Sequence, residues 1–403
     1  MKAISITLEK FLEFKQKLSL DPNFKLEIYD LLEYGNVLEV KLINENWVKI
    51  KTELGGICGS DISTLTLNRS TCLSPFASFP AVLGHEAVGT VVEVGDNVKN
   101  ISIGDRVTID ENLTCEVRGL EPCNACKNGD NTLCCNLDKG DIAPGVMTGF
   151  CKDTGGSWGE YIVAHEFQVF KIPESVSSEE ALIAEPLACA IHGVLKKLPK
   201  EDENCVVVGC GTIGLATILA LKALSKCNII ATARYPFQSE IAKKLGADDV
   251  FMAKKDLHIK KIGRKLGCRL LSPVMEDAFP VDGGADIVID SVGNASSFSN
   301  SFRLVKPKGL VILLGYPAYM EIDWTPIMAK EIKICASNIF SYDIINGEKM
   351  RTMQIALDLI SSGQADVQGF LTHEFPLESY KEALDMVVNK GKNNLIKADF
   401  TFE

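Results

Sequence analysis

Residues 206–214 read Val-Val-Val-Gly-Cys-Gly-Thr-Ile-Gly, an apolar run followed by three closely spaced glycines. The run is typical of a buried strand, and a helical pattern begins directly after it and continues to Leu224. Glycines at such a junction let the chain turn tightly and approach a pyrophosphate, whose negative charge then lies on the free amides at the helix start. We therefore predict a dinucleotide-binding turn, and a purely structural glycine turn is the alternative. The predicted cofactor-binding residues of the turn are Gly209, Gly211, Thr212, Ile213 and Gly214.

The chain around this turn alternates apolar, strand-like runs with helical stretches. Later strand-like runs are Ile229 to Ala233 and Ile287 to Ile289. Such βαβ units form a parallel sheet that is covered by helices on both faces. We therefore expect a doubly wound Rossmann domain over residues 186–337, in which residues 254–280 fit either a helix and loop or an exposed insertion.

The first half of the chain has a different pattern, in which apolar and polar residues alternate with a period of two. Val48 to Thr52 and Gly89 to Gly95 are examples. The alternation predicts a mostly antiparallel, barrel-like domain over residues 1–185. After Phe340 the chain is more polar, and we expect residues 338–403 to return to this domain. The predicted fold class is thus α/β with a second, β-rich domain.

The second strand-like run of the Rossmann domain ends Thr232-Ala233-Arg234-Tyr235, without a carboxylate. Sites that prefer NAD usually have Asp or Glu here, where the side chain binds the ribose hydroxyls. Arg234 instead lies close to where a 2′-phosphate would be, and charge complementarity favours NADP, with NAD as the other possibility. An ordinary solvated arginine is the alternative interpretation.

Composition and charge exclude several classes of protein. A chain of 403 residues, 46% of them hydrophobic and 24% charged, is long enough for two or three domains with large cores. The net charge of −11 argues against nucleic-acid and anionic-membrane partners, because an acidic surface repels both. The first residues read as a strand rather than a signal peptide, and no apolar stretch reaches the roughly 20 residues that span a bilayer. We therefore expect a cytoplasmic protein.

Five of the fourteen cysteines are clustered between Cys115 and Cys135. Cys123, Cys126 and Cys134 have the spacing Cys-x2-Cys-x7-Cys in a turn-rich segment, which lets three thiolates converge on one ion. A tetrahedral zinc needs a fourth ligand, for which Cys115 is the best candidate, whereas Cys135 is expected to point away. With four sulfurs and no open position, such a site is structural.

A second group of motifs comprises Gly56-Ile57-Cys58-Gly59-Ser60-Asp61, Gly84-His85-Glu86 and Ala184-Glu185-Pro186-Leu187. Together with the glycine turn and the cysteine segment, these motifs resemble the zinc-containing medium-chain dehydrogenase/reductase family over nearly the whole chain. The resemblance implies a GroES-like catalytic domain beside the Rossmann domain, a substrate cleft and a homodimer or homotetramer.

The same resemblance implies a catalytic zinc bound by Cys58 and His85. Glu86 would be a direct or water-linked ligand, and Glu185 a further ligand or a group that contacts the ligands. One position stays open for substrate, because zinc must lower the pKa of a bound alcohol before hydride passes to the nicotinamide ring. Ser60 matches the hydroxyl that takes the alcohol proton in family members.

Asp61 matches a position that orients the ligands, and an ordinary turn carboxylate is the alternative. Two positions depart from the family pattern. Several family members have His five residues after the first zinc cysteine, where this chain has Ser63, which leaves the proton route to solvent open. The first cysteine of the structural lobe is expected at Leu120, so Cys115 would have to replace it through a longer loop.

The sequence thus predicts a zinc-dependent oxidoreductase that transfers hydride between a secondary alcohol and NAD(P), with NADP favoured. The substrate class, a polyol, sugar or amino alcohol, follows from the resemblance, because Glu86 and Glu185 look more like polyol and threonine dehydrogenases than ethanol-type enzymes. A zinc-free quinone-type reductase of the same fold would lack Cys58 and the cysteine lobe. A non-catalytic, zinc-stabilised binding protein is the other alternative.

Overall fold

The structure, a computed structural model, describes residues 1–21, 24–67, 70–254, 257–274, 278–317 and 319–402. The chain folds into two compact units. One unit consists of Met1–Glu185 together with Val367–Glu403, and the other is Pro186–Asp366. Among the described residues, no helix is both long and apolar enough to cross a bilayer.

The second unit is built on a six-stranded parallel sheet. In spatial order its strands are Asp249–Met252, Asn228–Ala233, Asn204–Val208, Ala285–Asp290, Val305–Leu313 and Lys333–Ala336. Numbered along the chain, this order is 3-2-1-4-5-6, which is the strand order of a Rossmann fold. The predicted doubly wound parallel sheet is therefore confirmed.

Burial on both faces of this sheet explains its continuous apolar runs. Cys205 to Val208 of the central strand are all buried. The helix that follows, Thr212–Leu224, also has most of its residues buried, because it packs against the sheet. The glycine turn lies between these two elements, at the carboxyl end of a central strand, where ligands of open α/β sheets bind.

Residues 254–280 form part of the same unit. They include helix Leu257–Lys265, whose Ile259 and Ile262 pack into the core beside the parallel sheet. The antiparallel strands Arg269–Leu271 and Phe279–Val281 follow this helix. Residues 255–256 and 275–277 lie outside the described residues.

Residues 338–366, assigned to the first domain from the polar character of the sequence, lie in the second unit. They form the hairpin Tyr342–Ile345 with Glu348–Arg351 and the helix Thr352–Ser361. Asp343 of the hairpin accepts a hydrogen bond from Thr352 and lies 2.8 Å from the Nδ1 atom of buried His192. The unit to which this segment belongs is therefore decided by contacts between residues distant in sequence, and not by the polarity of the segment.

The first unit is built on a mainly antiparallel sheet. Its strands in order are Leu371–Pro376, Lys397–Thr401, Trp47–Ile57, Ala87–Val94, Arg106–Ile109 and Val169–Lys171, with Tyr161–His165 also paired to Trp47–Ile57. The alternating segments predicted as strands lie in Trp47–Ile57 and Ala87–Val94, whose inward side chains form an apolar core. A smaller sheet contains Leu32–Asn36, Lys2–Ile6 and Ala81–Val82.

The indole of Trp158 packs at the centre of the first unit. It is fully buried, donates a hydrogen bond from Nε1 to the Gly56 carbonyl at 3.0 Å, and packs edge-on against Phe400 at 5.2 Å between ring centroids. Phe400 belongs to a strand near the end of the chain, and Gly56 precedes Cys58 by two residues. Through Trp158, the strand near the end of the chain is thus joined to the segment that leads to Cys58.

The remaining helices connect these strands. Those of the first unit are Leu8–Leu20, Gly59–Leu65, Asn124–Asn128, Ser178–Leu182, Tyr380–Val388 and Lys390–Asn393, with 3₁₀ turns at Thr71–Phe76, Asn131–Leu133, Glu166–Gln168 and Leu377–Ser379. Helix Ala184–Leu195 contains the boundary between the units. The other helices of the second unit are Pro236–Lys244, Ala295–Leu304 and Thr325–Lys330.

Candidate active site and metal centres

Cys58 lies at the junction between a strand and a short helix. Strand Trp47–Ile57 ends just before it, and helix Gly59–Leu65 begins just after it. The backbone amide of Cys58 donates to the Asp61 carboxylate at 2.9 Å. An acidic side chain in the first helical turn is favourable, because free amides and the helix dipole make this end positive.

His85 and Glu86 lie in a short loop between two strands, Ala81–Val82 and Ala87–Val94. Gly84 precedes them at φ 87°, and a Cβ atom there would lie 2.4 Å from the side chain of Trp158, so only glycine fits. His85 is 4% exposed and Glu86 is 1% exposed. Such burial of two polar side chains requires partners, which the next contacts identify.

The Nδ1 atom of His85 lies 3.5 Å from Oδ1 of Asp61, which is completely buried. Burial disfavours the charged form of His85, but the charge of Asp61, with smaller contributions from Cys58, outweighs it and holds the pKa of His85 well above its usual value. A carboxylate on one ring nitrogen orients the imidazole and leaves the other nitrogen for a metal. Asp61 is therefore placed to orient His85, as the sequence suggested.

The donor atoms of Cys58, His85 and Glu86 all lie within 4.8 Å of one another. Zinc bonds of 2.0–2.3 Å to ligands in tetrahedral directions would bring such atoms to about 3.6 Å from each other. The three side chains therefore need only small movements to bind one ion. A thiolate, an imidazole and a carboxylate are a donor set that suits zinc, and three protein ligands leave a position open for substrate.

Glu185 does not belong to this close group of donor atoms, although it is 5% exposed and lies in helix Ala184–Leu195. It lies near enough to the site to act through its charge. Burial raises the pKa of Glu111 well above its usual value, and the charges of Glu185 and Asp110 raise it further. Glu185 is therefore a carboxylate beside the group.

Glu111 was not predicted. It is 1% exposed, its Oε2 atom has no hydrogen-bond partner among the described residues, and the charge of His85 partly offsets the rise of its pKa. No motif surrounds it in the sequence, so only the folded chain brings this carboxyl near His85 and Glu185.

Lys397 was missed as well. Its ammonium forms an ion pair with Glu86 and donates to the Ile57 carbonyl at 3.1 Å, with both charged side chains at most 2% exposed. Burial disfavours the charged form of Lys397, but the Glu86 carboxylate outweighs it and holds the pKa of Lys397 above its usual value. These residues are separated by 311 positions, so no local pattern could have linked them.

Ser60 and Ser63 differ in how their hydroxyls are used. The Ser60 hydroxyl is buried and has no hydrogen-bond partner among the described residues. The Ser63 hydroxyl donates to the Gly59 carbonyl at 3.0 Å, within its own helix. Ser60 is thus available to a ligand at the site, whereas Ser63 is engaged by the backbone.

The sulfur atoms of Cys115, Cys123, Cys126 and Cys134 also lie within 4.8 Å of one another. The Cys123 amide donates to the Cys115 sulfur at 3.3 Å. Backbone amides, first that of Cys126, lower the pKa of Cys123 to about 6. A thiolate stabilised in this way is a ready zinc ligand, and the four sulfurs fit a closed structural site. Exposed Cys135 is outside the group.

Arg118 explains how the longer loop after Cys115 is held. The guanidinium is completely buried and donates to backbone carbonyls on two segments. Its acceptors include Leu113 at 3.0 Å, Lys139 at 2.9 Å and Gly145 at 2.8 Å. This hydrogen bonding fixes the loop so that Cys115 reaches the other three cysteines across the departure at Leu120.

The predicted cofactor turn has the expected local geometry. Gly209 has φ 94°, and its amide donates to the Thr232 hydroxyl at 3.1 Å. A Cβ atom on Gly214 would lie 1.9 Å from the Gly209 carbonyl oxygen, so the turn and helix can approach only with glycine there. Gly211 precedes helix Thr212–Leu224 and has no side chain to occupy the free amides.

Arg234 lies directly after strand Asn228–Ala233 and is exposed. Its guanidinium carbon lies 5.4 Å from the centre of the Tyr235 ring, and its backbone amide donates to Gln238. The side chain is thus at the end of the second strand of the Rossmann sheet, as predicted.

Two protein families match parts of this chain. Residues 44–174 match the family described as alcohol dehydrogenase GroES-like domain, and residues 212–362 match the zinc-binding dehydrogenase family. A sorbitol dehydrogenase of Bombyx mori is 30% identical over 356 residues, which cover 87% of this chain and 90% of that protein.

This chain belongs to the zinc-containing medium-chain dehydrogenase/reductase family. An L-idonate 5-dehydrogenase of Vitis vinifera is likewise 30% identical, over 88% of this chain and 87% of its own length. The fold is also that of alcohol dehydrogenase TADH from Thermus sp. ATN1, with a TM-score of 0.72, 20% identity and complete coverage of both chains. The protein is therefore a zinc-type, NAD(P)-linked alcohol or polyol dehydrogenase, and the predicted family and enzyme class are confirmed.

We predict two zinc ions per chain in the purified protein. Cys126→Ser should reduce this to one, because it leaves three thiolates where a closed zinc site needs four. Cys135→Ser is the matched control, since it changes a neighbouring cysteine outside the sulfur group and should leave two ions. Metal content would be measured by mass spectrometry after gel filtration. Two ions in Cys126→Ser, or one in Cys135→Ser, would contradict the assignment.

Proposed function

We propose that this enzyme oxidises a secondary alcohol of a polyol, sugar or amino alcohol, with NADP as the favoured hydride acceptor. The observation that carries the proposal is the buried group of Cys58, His85 and Glu86, whose three donor atoms suit one zinc ion with an open position. The names of the relatives, sorbitol and L-idonate dehydrogenases, support the substrate class.

Zinc bound there would supply Lewis acidity, lowering the pKa of the substrate hydroxyl so that an alkoxide can form at neutral pH. The chain's own residues orient the groups around it. The Asp61 carboxylate accepts a hydrogen bond from the Cys58 amide and lies beside the His85 ring, so it holds both ligands in place. The unpaired Ser60 hydroxyl, two residues after Cys58, is our candidate for accepting the alcohol proton.

The surrounding carboxyls favour a substrate with several hydroxyl or amino groups. Glu185 and Glu111 are both buried beside the ligand group, and Oε2 of Glu111 has no hydrogen-bond partner among the described residues. A polyol, sugar or amino alcohol offers further donors and acceptors to such groups, whereas a simple alkanol offers only the hydroxyl that reacts.

The NADP preference rests on Arg234 and on the absence of a carboxylate from the end of strand Asn228–Ala233. A guanidinium binds a phosphate through charge-assisted hydrogen bonds, and the exposed side chain is free to turn toward one. A homodimer or homotetramer, which the family resemblance implies, and a cytoplasmic location complete the proposal.

Cys58→Ser should lower turnover roughly a thousandfold, because losing a zinc ligand removes several kcal/mol of charge stabilisation from the transition state. Activity would be followed at the absorbance of reduced nicotinamide with a panel of alkanols, polyols, aldoses and amino alcohols. Cys72→Ser, which changes an exposed cysteine of the same unit, is the control and should retain activity. Undiminished turnover by Cys58→Ser would remove zinc from the chemistry.

Arg234→Ala should reduce kcat/KM for NADP by about tenfold to a hundredfold, the equivalent of one charge-assisted hydrogen bond, and change that for NAD by less than about threefold. Arg264→Ala removes another exposed arginine of the same unit and serves as the control. Steady-state kinetics with both cofactors would measure the difference. Equal losses for NADP and NAD would discard the role of Arg234.

A further inference from the structure

The last strand of the first unit has two buried charged residues on one of its faces. Lys397 and Asp399 belong to strand Lys397–Thr401, in which alternate residues point to the same side of the sheet. Ala398 and Phe400, on the opposite side, pack into the apolar core around Trp158. The charged face is therefore the one that lies toward Glu86, with which Lys397 forms its ion pair.

The neighbouring strand leaves space on this face. Asp399 is paired in register with Gly56 of strand Trp47–Ile57. A Cβ atom on Gly56 would lie 1.9 Å from Oε2 of Glu86, so the Glu86 carboxylate occupies the space above this glycine. Residues opposite each other in an antiparallel pair share a face, so Asp399 and the Glu86 carboxylate lie on the same side of these two strands.

The Asp399 carboxylate is buried without a hydrogen bond that would compensate for its loss of water. Its side chain is completely buried, and neither of its carboxylate oxygens has a hydrogen-bond partner among the described residues. Burial, and after it the charge of Glu374, raises the pKa of Asp399 to about 7, although the charge of Lys397 lowers it. An unpaired buried carboxylate is costly, and the cation that acts on this one is Lys397 on the same face.

Lys397 therefore has two carboxylates within its reach but is bonded to one of them. Its ammonium contacts Glu86 and the Ile57 carbonyl. A lysine has a flexible four-carbon stem, and the side chains at positions i and i+2 of a strand lie on one face about 7 Å apart. A rotation of the stem can thus move the ammonium from Glu86 toward Asp399.

We propose that Lys397 and Asp399 are positioning residues for Glu86, in which Asp399 competes with Glu86 for the Lys397 ammonium and so frees Glu86 to bind the catalytic zinc. The inference rests on the proposed zinc site at Cys58, His85 and Glu86. With Lys397 on Glu86, the carboxylate is held by a cation and is a weak metal ligand. With Lys397 on Asp399, Glu86 is unpaired and turns to the metal, while the buried carboxyl of Asp399 gains the partner it lacks.

The experiment measures zinc affinity at the catalytic site by competition with a chelating dye, in the full-length protein. Asp399→Asn keeps the shape of the side chain and removes its charge, so Lys397 stays on Glu86. We expect zinc to bind about tenfold to a hundredfold more weakly, the usual effect of losing a group that supports a metal ligand. Glu378→Gln changes an exposed carboxylate of the same unit that does not act on Asp399, and it should alter the affinity by less than about twofold.

A double-mutant cycle separates this role from a structural one. In the Glu86→Gln background Asp399→Asn should have no further effect on zinc affinity. Without the Glu86 carboxylate, there is no longer a metal ligand that Lys397 can hold away from the zinc. Lys397→Met should strengthen zinc binding at the site, since it leaves Glu86 without its cation, and the melting temperature of each variant reports any loss of folding. An unchanged affinity in Asp399→Asn, an equal loss in the Glu86→Gln background, or weaker binding by Lys397→Met overturns the proposal.

These outcomes differ from a failure of the proposed function. If the unmodified protein binds zinc only at the four cysteines, the catalytic site itself is wrong. If the unmodified protein binds two ions and the variants bind zinc with the same affinity as it does, the catalytic site is supported. In that case only the positioning role of Lys397 and Asp399 is wrong.

Discussion

One buried carboxylate, Asp61, connects the two firmest metal-ligand candidates. It accepts a hydrogen bond from the Cys58 amide at 2.9 Å and lies 3.5 Å from Nδ1 of His85. These two ligands come from segments more than twenty residues apart. Asp61 is itself held in the first turn of helix Gly59–Leu65, where free amides stabilise its charge. Without Asp61, the segments of the thiol and the imidazole would lose this side-chain connection and keep the backbone pairing of strands Trp47–Ile57 and Ala87–Val94.

Several ionisable side chains are buried together at this site. Asp61, Glu86, Glu111 and Glu185 are at most 5% exposed, and Lys397 at 2% is the buried cation that contacts one of them. Each unpaired buried ion costs several kcal/mol, even after the protein relaxes. A divalent cation among these groups would offset much of that cost, so metal binding and stability of the first unit should be coupled.

The sequence predicted those parts of the enzyme that depend on local pattern. The glycine turn from Gly209 to Gly214, the strand before it and the helix after it could be predicted because spacing and hydrophobic period are local properties. Cys58, His85 and Glu86 came from motifs, and the structure places their donor atoms together. Glu185 also came from a motif, but its carboxylate lies outside this close group of donor atoms.

What the sequence could not predict depends on contacts between distant segments. Lys397 and Asp399 stand in an ordinary strand near the end of the chain, and Lys397 meets Glu86 only because that strand pairs with Trp47–Ile57. No motif in the sequence marks Arg118, yet it organises the backbone around the cysteine lobe. The polar segment 338–366 was assigned to the first domain, because its contact with His192 cannot be read from composition.

We propose that Cys58, His85 and Glu86 hold a catalytic zinc. X-ray diffraction from crystals of the purified protein, measured on both sides of the zinc absorption edge, tests this proposal. We expect two anomalous peaks in each chain. One lies among the four clustered cysteines, and the other lies about 2.3 Å from Cys58 Sγ and about 2.0–2.1 Å from a ring nitrogen of His85. A fully occupied cysteine cluster with no peak beside Cys58 and His85 would contradict it.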